Sequence, residues 1–213
     1  MRYTTLTALA LTLTITAQAN AVQVGAGQTS VLLDTDTLSN AAGLTLSSVS
    51  PGIGAGVIPG SVAFPINSRS AASLPTTFEY TAGDFPGGPF SGTIEHTGSV
   101  FFNMDTVEVG DFTIGFDAGR VSGANSGFFV ESTTGVAAIL FDAQVTGLNE
   151  ASETLLDLEV DLVVSPEFAG FLGDTGLTGA DVGDARIQAA VPEPASLLAV
   201  LAGLGAVALG RRR

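Results

Sequence analysis

The chain has 213 residues, with 21 Asp and Glu against seven basic side chains, a formal net charge of −14 and no cysteine. No cysteine means no disulfide staple, no zinc–thiolate site and no cysteine catalysis. The seven basic residues are all arginine and form no stripe along the exported part, which excludes a phosphate-neutralising nucleic-acid interface.

Met1-Arg2 is a short positive n-region, and Leu6 to Thr16 is an apolar, threonine-rich run. Ala17-Gln18-Ala19 and Ala19-Asn20-Ala21 both satisfy the small-x-small cleavage rule. Residues 1–21 therefore read as a secretory signal peptide, cut after Ala19 or Ala21 and handled by the general secretion machinery. The apolar run is too short to span a bilayer.

Residues 22–190 have the length of one domain with a sizeable core. Only Glu193 among the acidic residues lies outside this span, and only Arg69, Arg120 and Arg186 among the arginines lie inside. The span is therefore near −17. That charge keeps an exported domain soluble and favours cations over anionic lipid. Frequent glycines between short apolar runs point to strands with tight connections. These are expected over residues 29–34, 43–49, 60–65, 76–81, 90–103, 106–117, 127–133, 136–147, 154–165 and 185–189.

The clearest is 154–165, where Leu156, Leu158, Val160, Leu162 and Val164 share one face and Asp157, Glu159 and Asp161 the other. Such alternation belongs to antiparallel sheets with one solvated side. In 106–117 the beat slips phase around Gly110, where a bulge would restore register. Residues 51–60, 83–89 and 170–183 read as loops, and Ser39–Ala42 and Pro166–Ala169 as single helical turns. The fold class expected is mainly β, an antiparallel β-sandwich or open barrel of roughly eight to ten strands.

No catalytic constellation emerges. His96 is the single histidine and sits mid-strand with Ile94 on its face. No Gly-x-Ser-x-Gly elbow is present, and the lack of Trp gives little support to a carbohydrate cleft. Tyr80 and His96 are residue types that ligate haem, yet no attachment motif accompanies them. Asp174, Asp181 and Asp184 are the calcium candidates, carboxylates in one loop stretch that lack the Asp-x-Asp-x-Asp-Gly ladder. The domain therefore reads as non-enzymatic and without a required cofactor. The alternatives are a surface binding module for calcium or glycan, or a secreted hydrolase.

The C-terminus carries the strongest signal. Val191-Pro192-Glu193-Pro194 precedes an uncharged segment, Ala195 to Gly210, in which Ala195, Leu197, Leu198, Val200, Leu201, Leu204, Val207 and Leu209 supply the apolar surface. At the helical rise it reaches roughly 24 Å, so snorkelling arginines help complete a transmembrane helix. Arg211, Arg212 and Arg213 fix the end in the cytoplasm and the domain outside it.

Val-Pro-Glu-Pro-Ala, a short apolar helix and terminal arginines resemble the PEP-CTERM sorting signal of Gram-negative bacteria, over residues 191–213. The resemblance implies recognition by exosortase and a route from an inner-membrane anchor to the cell surface or medium. It also implies a setting of exopolysaccharide and biofilm. Ser91 to Gly98 and Phe112 to Asp117 are similar to stretches of other PEP-CTERM cargo, whose functions are generally unassigned.

Overall fold

The computed structural model describes residues 21–191. In chain order these form β1 (Ala21–Gln23), β2 (Ala26–Leu33), α1 (Thr35–Ala41), β3 (Leu46–Val49), β4 (Gly54–Ala55), β5 (Val62–Pro65), β6 (Glu79–Thr81) and β7 (Phe90–Ser91). There follow β8 (Ile94–Glu95), β9 (Ser99–Phe102), β10 (Val107–Phe116), β11 (Phe128–Gly135), β12 (Ala138–Ala151), β13 (Leu155–Val164), α2 (Pro166–Phe171) and β14 (Asp181–Ala190).

One 11-stranded antiparallel sheet runs β3-β9-β10-β11-β12-β13-β14-β2-β5-β4, with β8 also on β10, and a 3-stranded sheet runs β1-β6-β7. The large sheet curls into a half-barrel. Its flanks are joined by an isolated backbone bridge between Ile66, just past β5, and His96, just past β8. There the Asn67 amide donates to the Glu95 carbonyl at 2.7 Å. The mainly β, antiparallel class is as expected, but the curled sheet is a half-barrel accompanied by a second small sheet, and the described residues form 14 strands, more than the eight to ten expected.

The core fills the concave side. Leu156, Leu158, Val160 and Leu162 of β13 are buried there as their alternation predicts. One member of the opposite face departs from expectation. Asp157 is only 5% exposed, because Arg186 on neighbouring β14 lies over it with a two-pronged contact of 2.9 and 2.8 Å. Hydrogen bonds from Arg186, the larger influence, hold its carboxyl below the usual range against the opposing effect of burial.

In β10 the phase slip lies where the alternation breaks. Val109 and then Phe112 and Ile114 point into the half-barrel, and the change of face is made at Asp111, with φ 48. The partner side supplies the extra residue near Gly98. The single strand expected over 90–103 is therefore three, β7, β8 and β9. The breaks fall at Gly92 and Gly98, both at positive φ, where an added Cβ would meet the Thr77 carbonyl oxygen at 2.5 Å and Ile53 at 2.7 Å.

Both helices follow their capping chemistry. Asp34 accepts from the amides of Asp36 and Thr37, so α1 starts before the turn expected at Ser39. Ser165 caps α2 by accepting from the Phe168 amide, with Pro166 in the first turn as expected. Leu38 of α1 and Phe168 of α2 are buried and plug one end of the half-barrel. The other end is covered by a ring cluster of Phe78, Tyr80, Phe85, Phe90 and Phe128. Both ends of the described chain lie beside that aromatic end. Ala21 pairs with Thr81, and the Val191 amide donates to the Thr154 carbonyl in the β12–β13 turn.

Candidate functional site

The concave side leaves a cavity of about 80 Å³ between the strands. Valine, leucine, isoleucine and phenylalanine dominate its wall, and the polar side chains on it are Thr29 and His96. These two meet across the seam. The Phe112 carbonyl, 3.0 Å from Nδ1 of His96, can only accept, so Nδ1 carries the proton; Nε2 then accepts from the Thr29 hydroxyl at 2.8 Å. The imidazole is 1% exposed and neutral, since burial, the largest influence, pushes its pKa down to about 4.

Neutral His96 in this setting joins the two flanks of the seam through both ring nitrogens. A hydroxyl on one nitrogen and an acceptor on the other are also the partners of a general-base histidine; here the pair is buried within an apolar wall. Ile94 shares its face, as the period-two count predicts. Glu95 points the other way, yet is buried and accepts from Thr113 Oγ1 at 2.6 Å. Tyr80 does not converge with His96. Its hydroxyl donates to the Ser152 carbonyl at 2.6 Å, and burial first, then the charge of Glu150, raises its pKa to about 12.

The calcium candidates separate. Asp174 caps a 3₁₀ turn by accepting from the Gly176 amide, and Asp181 accepts from the Gly183 amide. Asp184 lies directly opposite Asp161 across the β13–β14 ladder. Burial and the neighbouring charges of Asp181 and Asp184 push the Asp161 carboxyl up. Among the described residues no three His, Asp or Glu side chains converge as metal ligands. Asp161 is the member of this cluster that loop reading missed; its strand position, paired across from residue 184, is visible only once the register is known.

The three arginines of the domain are all committed. Arg69 donates to the Phe78 carbonyl at 3.2 Å, and Arg186 covers Asp157. Arg120 binds Glu167 through two parallel bonds of 2.8 and 2.9 Å and Asp142 at 2.6 Å. The bidentate contact holds the Glu167 carboxyl down at about 2. Arg120 and Arg186 are thus paired with carboxylates, whereas the partner of Arg69 is the neutral Phe78 carbonyl.

Of the sorting residues, Val191 lies at the aromatic end, packed partly against the core. Pro192, Glu193 and Pro194 lie outside the described residues, as do the anchor residues Ala195 to Leu209, Arg211, Arg212, Arg213 and Ala19. Ala21 is exposed at the start of β1. Residues 190–213 match the family model of the PEP-CTERM protein-sorting motif. The chain carries a PEP-CTERM sorting motif.

That PEP-CTERM motif implies an exported protein, associated with the membrane and processed by exosortase. The match begins at Ala190, the last residue of β14. No helix among the described residues is long and apolar enough to cross a membrane. No curated protein is detectably similar to the chain. In fold it is similar to the C-terminal domain of HtaA from Corynebacterium glutamicum, with a TM-score of 0.50 and 16% identity over 80% of this chain and 99% of that one. At such identity the likeness concerns the fold alone.

Proposed function

We propose that this PEP-CTERM protein is a non-enzymatic component of the cell envelope or extracellular matrix. A signal peptide delivers it, the Ala195–Gly210 helix holds it in the inner membrane, and exosortase passes it to the cell surface or medium. The observation that carries the reading is the motif match at residues 190–213, which begins at the last residue of β14.

A non-enzymatic role is supported by the burial of the single histidine, 1% exposed within an apolar wall. The exopolysaccharide and biofilm setting comes from the sorting signal, and the acidic surface suits a hydrated, cation-rich matrix. Deleting Ala195 to Arg213 tests the anchor. The expected result is a folded domain in the periplasm or medium, since the core cluster lies between Val22 and Ala189. Aggregation of the truncated protein, with full-length protein soluble in the absence of detergent, would refute the anchor.

A further inference from the structure

β3 ends the large sheet on one side. It pairs with β9 through Leu46, Ser48 and Val49, and its other side carries no ladder among the described residues. Thr45, Leu46, Ser47 and Ser48 are all exposed. Such an edge offers unpaired backbone donors and acceptors, which proteins ordinarily guard with lysine, proline or charge. β3 contains none of these, and from Thr37 to Ser68 the chain has no charged residue, in a domain near −17.

The edge is also held in place from one side. In the β9–β10 turn, Asn103, Met104 and Asp105 have φ of 54, 55 and 62, a left-handed backbone that side chains disfavour. Side-chain bonds to β3 and the residues just before it fix that turn. Asn103 Oδ1 accepts from the Thr45 amide at 2.9 Å, and its Nδ2 donates to the Gly43 carbonyl at 3.0 Å. The Met104 amide donates to Ser47 Oγ at 2.8 Å, and Ser48 Oγ donates to Asp105, the carboxylate against this strand, at 3.0 Å. The turn thereby sets Met104, 90% exposed, next to a strand whose Leu46 is 39% exposed. Two apolar side chains stand in water at an uncharged edge.

We propose that β3 is a self-association edge at which two copies of the chain join, β3 antiparallel to β3 about a two-fold axis. An antiparallel pair exchanges N–H and C=O in both directions, so a strand meets its own copy without a second kind of surface. Charge selects the place. Two domains near −17 repel one another, and the uncharged stretch carries both free edges of the large sheet, β3 and β4. β4 has two residues against the four of β3. Pairing at β3 takes Leu46 and Met104 out of water. The edge lies within the domain and does not rest on the sorting reading.

The chain has no cysteine, so one introduced thiol reports without background. The test treats the full-length protein carrying Ser48→Cys with a short bismaleimide, in isolated host envelopes and in the medium. Ser122→Cys, exposed on the β10–β11 connection, is the control for crowding. The expected result is a covalent dimer of the chain from Ser48→Cys and about tenfold less from Ser122→Cys. Adding Leu46→Asp to Ser48→Cys sets like charges at the pairing edge and should cut the dimer about tenfold or more. If that variant does not fold, Met104→Asp, at a side chain already in solvent, takes its place. No dimer from Ser48→Cys, equal yields from the two positions, or a dimer indifferent to the folded Asp variant overturns the edge. An adduct of Ser48→Cys with a different protein in place of the dimer overturns the second copy as its occupant.

Discussion

His96 and Arg120 each hold a buried polar junction in one protonation state, and both make measurable demands. The folded pKa of His96, about 4, lies below its ordinary 6.5, so the unfolded chain takes up the proton first as pH falls. The stability tied to neutral His96 is complete above pH 6.5, falls between 6.5 and 4 and levels off below. The full loss is about 3 kcal/mol. Urea melts across that window should show the slope in the wild type and a flatter one in His96→Gln; identical slopes would contradict the buried neutral imidazole. Arg120→Ala should cost about 3–5 kcal/mol, because it strands Asp142, a carboxylate buried in β12, without its cation. A change under about 1 kcal/mol in a denaturant melt would show that Asp142 has another partner.

At the scale of elements, β13 was the strand most legible in the sequence, since burial of one face alone produces a period-two pattern. Val160→Asp places an unpaired charge in the half-barrel and should cost more than about 4 kcal/mol, whereas Glu159→Lys, on the partly exposed face, should stay within about 1 kcal/mol. Equal losses in the two variants would refute this register. The buried Asp157 was not legible, because its cover is Arg186, which a strand pattern cannot bring to it. Likewise residues 90–103 read as one strand from their apolar content, while Gly92 and Gly98 each place the backbone against a neighbour from another part of the chain. The phase slip near Gly110 was visible because the beat itself breaks; that Asp111 makes the change of face, and that the extra residue lies on the partner side near Gly98 and not in β10, was not.

For the whole molecule, mainly β class and antiparallel pairing followed from alternation and breakers. Closure of the half-barrel did not, because it depends on Ile66 reaching His96 and on Thr29 meeting His96 from a strand far away in sequence. The internal cavity was invisible for the same reason: its wall is an ordinary set of apolar residues until the sheet curls. The tail was legible because its constraints are local, a helix breaker pair, an apolar length and terminal charges. Val191, the last described residue, lies at the aromatic end, opposite α1 and α2.

The central claim is that residues 190–213 are a sorting signal and not an anchor alone, and Glu193 separates the two. Glu193 stands in the sequence between two prolines, residues that disfavour helix, and replacing it changes neither the apolar length nor the arginine cluster. The deciding measurement is the intact mass and distribution of Glu193→Ala and its parent in membrane and released fractions of a host carrying exosortase. Sorting predicts a trimmed, released parent and a larger, membrane-retained variant; identical mass and distribution for the two would contradict it.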